Sequence, residues 1–290
     1  MSRIIARKNP VVFKTQAIHV KATPEVLCYT PVGNPLSFSE MQALRQPVQI
    51  DDPDNFDLTV ANLGVSVDLT LHWQGRSFHV LVRQERPDHG DNVLKLISGY
   101  VPAHELRIPM LTVMTEIAEE LLLETERGWL QGCYQGTWLP TPYAETLPLY
   151  EKLNFELTPH SGATRPVLCR ELHLIERPRA YVHLPTNSLQ LVYQMRIDLP
   201  DRCRKLTALH ADEYLDNHGQ LIASIDYRRP ELFLAEIENG RPNGQLFSLE
   251  QGELVNRRPK HLWLSEALAQ QRGWVIDQPR CPWPDGLERL

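Results

Sequence analysis

Thr115-Glu116-Ile117-Ala118-Glu119-Glu120-Leu121-Leu122-Leu123 is the stretch on which the reading of this chain turns. Met110, Val113, Met114, Ile117 and Leu121 recur at i, i+3, i+4, i+7 and i+11, which predicts an amphipathic helix. Pro109 suits its first turn and Gly128 its stop, so the helix is expected to run to about Arg127. At about 100° per residue, Glu116, Glu119 and Glu120 share the face opposite the apolar stripe. Carboxylates spaced i,i+3 and i,i+4 repel by a few tenths of a kcal/mol per pair on an exposed helix. After the cluster, the first basic residue is Arg127. Leu122 and Leu123 project toward the acidic side, so other structure should cover part of it. Either water screens these acids or a cation fills the gap between them. An oxygen-only set of this charge suits Mg²⁺ or Mn²⁺ rather than zinc.

Upstream, Val65 to Trp73 alternates apolar and polar residues at period 2. Gln74-Gly75 reads as a turn and Ser77 to Arg83 as the second strand of a hairpin. Val93 to Ile97 is a third strand, ending at Ser98-Gly99. Beyond the acidic helix, strands are expected at Leu130–Tyr134, Ser188–Ile197 and Leu232–Ile237, and a helix at Leu264–Gln270. Residues 145–185 are ambiguous, reading as a short helix near Tyr150 and a strand near Val167 to Leu174. Residues 1–58 read as an N-terminal extension, with short strands at Val11–Phe13 and Ala17–Val20 and a helix capped by Ser37 or Ser39. Residues 59–290 form the main domain. The 23 prolines fall mostly between periodic segments and imply long loops and insertions, chiefly 138–185 and 198–260.

At 290 residues, 42% hydrophobic and 23% charged, the composition is that of a globular protein. A formal net charge of −6 offers no general attraction to nucleic acid or anionic membrane, and neither is an expected partner. The five cysteines form no C-x-x-C pair and read as reduced thiols. With no apolar region behind the basic N-terminus and no apolar run of spanning length, a cytoplasmic setting is expected. None of the 11 histidines pairs with another at helical metal spacing.

Gly99, five residues, Glu105, nine residues, then Thr115 to Leu123 resembles the signature of the Nudix hydrolase superfamily, G-x(5)-E-x(7)-R-E-U-x-E-E-x-G-U. The match falls on Gly99, Glu105, Glu116, Ile117, Glu119, Glu120 and Leu123. Thr115 stands where the family has arginine, Leu122 where it has glycine, and two extra residues separate Glu105 from the helix. The resemblance implies an α/β fold, an α/β/α sandwich with a mixed sheet. It also implies a nucleotide-like small-molecule substrate whose diphosphate linkage is cleaved by metal-activated water. Glu116, Glu119 and Glu120 would then hold Mg²⁺ or Mn²⁺. Glu116 would double as base, Glu105 would assist, and Arg83 and Arg86 would hold phosphate.

Beside this stands a bland reading, a solvated acidic face that fits a short pattern, with Arg83 and Arg86 as surface charges at a strand end. A second functional reading keeps the nucleotide-sized pocket without hydrolysis, which Thr115 and Leu122 favour. A third gives residues 1–58 a role in homodimer assembly.

Overall fold

The computed structural model describes residues 2–86, 91–160, 162–163, 165–229, 231–258 and 262–282. Strands dominate it, and the expected α/β/α sandwich is not formed. A sandwich needs helices on both faces of a sheet. Two α-helices occur among the described residues: α1, Phe38–Leu44, and α2, Met110–Glu120. The remaining chain builds one large, strongly curled, barrel-like sheet, a five-stranded sheet and a three-stranded sheet.

Three of the segments read as helical take other forms because pairing decides them. The acidic helix ends at Glu120, and Leu121–Thr125 continues as a strand paired antiparallel with Leu206–His210. Leucine favours helix intrinsically, but five ladder positions and burial on both sides of Leu121, Leu122 and Leu123 override that preference. The neighbourhood of Tyr150 lies in an 11-residue strand, Leu149–Pro159. Leu264 belongs to the strand Leu262–Ser265, and Glu266–Leu268 makes only a 3₁₀ turn.

The strands read from alternation hold. β1, Ser2–Lys8, opens the chain, followed by β2, Lys14–Ala22, β3, Leu27–Ser37, and β4, Phe56–Val60. Next come β5, Asn62–Trp73, and β6, Arg76–Arg86, joined by Gln74 and Gly75 with φ of 50° and 77°. Positive φ at both turn positions is what a two-residue hairpin requires. β7, Asp91–Lys95, and β8, Ile97–Tyr100, form where one strand was expected. β7 pairs with β6, whereas β8 pairs with the first half of β5. β5 also runs parallel to Ser188–Asp198, so it is bonded on both edges. Its Val65, Val67, Leu69 and Leu71 share a core with Val113, Met114 and Ile117 of α2. α2 packs against β5, β8 and Leu121–Thr125, which holds its acidic end over the sheet.

The N-terminal residues are sewn into sheets with distant segments. β1 pairs with Leu221–Asp226, and β3 runs parallel to Val167–Cys169. Ser37 caps α1 reciprocally with Glu40, as its Ser-x-x-Glu spacing implies. Val11–Phe13, expected as a strand, carries none. No helix among the described residues is long and apolar enough to cross a membrane.

Candidate functional site

The C-terminal end of a helix carries partial negative charge from its unpaired carbonyls. α2 places Glu116, Glu119 and Glu120 there, with no basic residue in its last turn. The chain leaves through Leu121, whose extended backbone (φ −103°, ψ 111°) donates its N–H to Ile117. Ladder register then sets the surroundings. Leu121 lies opposite His210, which brings that imidazole beside Glu120. In the three-stranded sheet, Lys8 pairs opposite Leu221 and Glu213 opposite Ala223, which brings both to the same place.

The result is a cavity of about 670 Å³ walled by Glu116, Glu119, Glu120, Glu213, His210, Lys95 and Arg83, among others. Lys95 Nζ lies 3.5 Å from Glu120 Oε1 and 3.5 Å from Ser98 Oγ. Lys8 Nζ lies 3.6 Å from Glu119 and 3.9 Å from Glu213. Tyr143 donates to the carbonyl of Glu119 at 3.1 Å, and its hydroxyl oxygen lies 3.4 Å from Glu213 Oε1. His210 Nε2 stands 3.7 Å from Glu120 Oε2, too far for a hydrogen bond. Glu120 Oε2 and His210 Nδ1 are therefore buried without a hydrogen-bond partner among the described residues.

These neighbours treat the three acids differently. Burial, then the charges of Glu120 and Glu119, push Glu116 up to about 8. Burial and Glu213 also raise Glu119, against the pull of Lys8. Burial pushes Glu120 upward too, but Lys95 and His210 outweigh it and hold its carboxyl below the usual range. Glu116 sits against the backbone of β8: a Cβ at Gly99 would fall 1.8 Å from Glu116 Oε1. Only glycine leaves room for that carboxylate.

The other expected site residues separate. Glu105 accepts from Thr112 Oγ1 at 2.7 Å, in the first turn of α2, and lies 3.5 Å from His104. It is thus tied to the opposite end of the helix and does not line the cavity. Arg83 does line it, but holds Glu231 with Nη2–Oε1 at 2.6 Å and through Nε. The side chain of Arg86 lies outside the described residues. Leu122, which stands at the family's glycine, packs in a core with Ile5, Trp129 and Leu209 because the chain enters a strand there instead of turning. His210, Lys95, Lys8 and Glu213 escaped sequence reasoning. Only Lys95 carried a signal, as the polar residue in the middle of an expected apolar strand.

No three carboxylate, imidazole or thiol groups among the described residues converge as metal ligands do. The donor chemistry nonetheless suits a hard cation: carboxylate oxygens, one of them orphaned and buried, at the negative end of a helix. Against known protein families and curated proteins, the chain matches none.

Proposed function

We propose that the cavity at the end of α2 binds a divalent cation, Mg²⁺ or Mn²⁺, together with a diphosphate-containing small molecule, and hydrolyses it. One observation carries this reading. Three glutamates crowd the negative end of a helix, one raised to about 8 and one with an unpartnered oxygen, in a cavity that also presents cations. Such an arrangement is costly to the fold unless something positive enters it. The contact between Gly99 and Glu116, two letters of the Nudix pattern, supports the same reading.

Glu116, Glu119 and Glu120 are the residues assigned to the cation, with His210 beside them. When bound, the cation supplies neutralisation of diphosphate charge and a lowered pKa for water. Lys95 and Arg83 hold phosphate oxygens. Glu116, whose own proton the charge of a bound cation would displace to solvent, accepts the proton as a water oxygen bonds to phosphorus, and the bridging P–O bond breaks with its electron pair leaving on the departing phosphate. Cys28, Cys133, Cys169 and Cys203 are free, which supports a reducing, cytoplasmic setting.

One observation favours a second reading, a pocket that binds without hydrolysing. Lys8 and Lys95 already pair with Glu119 and Glu120, so part of the acidic charge is compensated from within. Mn²⁺ titration followed by electron paramagnetic resonance separates these outcomes, combined with turnover of ADP-ribose, NADH and dinucleoside polyphosphates. The proposal expects Mn²⁺ binding that weakens at least about tenfold in Glu120→Gln, with product released by the wild type. Ligand binding without product favours the second reading, and absence of both Mn²⁺ and ligand binding removes both.

A further inference from the structure

Gln84 and Lys95 also belong to the wall of a second cavity, of about 410 Å³, whose charge is the reverse of the first. Among the described residues it presents Arg45, Lys95 and Arg280 with one carboxylate, Glu266. Gly99 lines it as well, so the backbone that seats Glu116 is common ground for the two spaces.

Arg45 is the residue that gives this cavity a purpose. Its guanidinium lies 5.3 Å from the ring centre of Tyr100, donates through Nη1 to the Tyr100 hydroxyl, and reaches the carbonyl of Thr186 at 3.4 Å. Phe38 packs edge-on to the same ring at 6.0 Å, so the tyrosine that holds the arginine is itself held. Among the described residues the contacts of Arg45 are Tyr100 and the Thr186 carbonyl, neither of them a carboxylate. A guanidinium oriented by an aromatic ring and two acceptors, half-buried and without a counter-ion among the described residues, is pre-organised for an anion. Arg280 also lies over a ring, 4.2 Å from the ring centre of Trp263. The floor carries a neutral hydrogen-bonding group, the Gln190 amide. It is anchored to Ser188 Oγ at 2.9 Å and seated where a Cβ at Gly64 would fall 2.4 Å from its oxygen.

We infer that the Arg45 cavity is an anion-accepting subsite for the far end of the ligand, so that the ligand carries an acidic group, carboxylate or phosphate, beyond its diphosphate. The assignment of the diphosphate end rests on the proposed function, whereas the anion subsite stands on Arg45 and its surroundings. Lys95, common to both walls and bonded to Glu120, is the hinge of charge between the two ends.

Matched ligands test the inference. UDP-glucuronate and UDP-glucose differ by one carboxylate, and NADP⁺ and NAD⁺ by one phosphate. Calorimetric titration of the full chain with Mg²⁺ present should give at least about tenfold tighter binding of the acidic member of one pair. Arg45→Gln should bring the two members within about twofold of each other and leave the affinity of the non-acidic member unchanged. Arg280→Gln provides a second variant if Arg45→Gln does not fold. Inorganic phosphate, titrated without divalent cation, reads the subsite by itself. Its binding should weaken in Arg45→Gln and persist in Glu120→Gln. Equal affinities within both pairs, or a preference that survives Arg45→Gln, overturn the inference. Phosphate bound through Arg45 in a protein that takes up no Mn²⁺ supports the subsite and defeats the diphosphate reading instead. Mn²⁺ uptake without Arg45-dependent phosphate binding defeats the subsite alone.

Discussion

Glu120 and Glu236 have side chains 17% and 15% exposed, and cationic neighbours hold both carboxyls below the usual range, yet the groups around them differ. Glu236, on the strand Leu232–Glu238, accepts from Arg76 Nε at 2.5 Å and from Asn243 at 2.8 Å. The Arg76 hydrogen bond holds its carboxyl below the usual range. Arg76 is fixed in turn over the Phe247 ring at 4.5 Å. Glu120 has an oxygen with no partner, and its neighbour Glu116 is driven up to about 8. A count of acids separates neither region from the other. The difference is that one carboxylate was given its counter-ion by the sheet, and the other cluster was left short of positive charge at a helix end where charge is already negative.

This contrast breaks most visibly with pH. Glu116 is raised from an ordinary 4.5 to about 8, so the folded state holds more protons than the unfolded chain across that window. Stability contributed by the cavity therefore falls as pH rises from 4.5 toward 8, by on the order of 5 kcal/mol. Glu236 and Asp198, both lowered by arginine hydrogen bonds, have the reverse sign: their contribution is present above the usual carboxylate range and is lost as pH falls through their lowered values. Denaturant unfolding at a series of pH values should show the alkaline decline in the wild type, a flatter profile in Glu116→Gln, and recovery on adding Mg²⁺. A decline unchanged in Glu116→Gln removes the strained-cavity account.

A second prediction attacks the satisfied region. Arg76→Ala leaves Glu236 without its guanidinium and should cost on the order of 2 kcal/mol in denaturant unfolding at neutral pH. Glu116→Gln in the same assay without metal should stabilise the protein or leave it unchanged. If both variants destabilise alike, the two regions do not differ as argued.

The smallest expected change in stability comes from Gly99→Ala. Its new methyl group meets the flexible end of Glu116 rather than backbone, so the fold should lose no more than about 1 kcal/mol. Mn²⁺ affinity should nevertheless fall at least about tenfold, because the carboxylate is displaced from its seat. Unaltered Mn²⁺ binding in Gly99→Ala would show that Glu116 has no part in holding the cation.

The parts of this molecule that could be read along the chain are those set by neighbours in sequence. The β5–β6 hairpin follows from alternation around Gln74-Gly75, α1 follows from Ser37 and Glu40, and the apolar stripe of α2 buries Met110, Val113, Met114 and Ile117 as its spacing demands. The acids Glu116, Glu119 and Glu120 were likewise legible as a cluster, since helical geometry alone gathers them. Everything that made the cluster into a cavity was set by residues remote in the chain. His210 arrives through the pairing of Leu206–His210 with Leu121–Thr125, and Lys8 and Glu213 through a sheet whose strands lie some 200 residues apart in sequence. The same long-range ladder ended α2 at Glu120, where local preference continued it to Arg127, while Thr112 held Glu105 at the other end of the helix, apart from the group its spacing suggested. Periodicity reports which face of a segment is apolar. Which segment pairs with which is decided by hydrogen-bond ladders and burial between distant strands, and only the tertiary structure contains those.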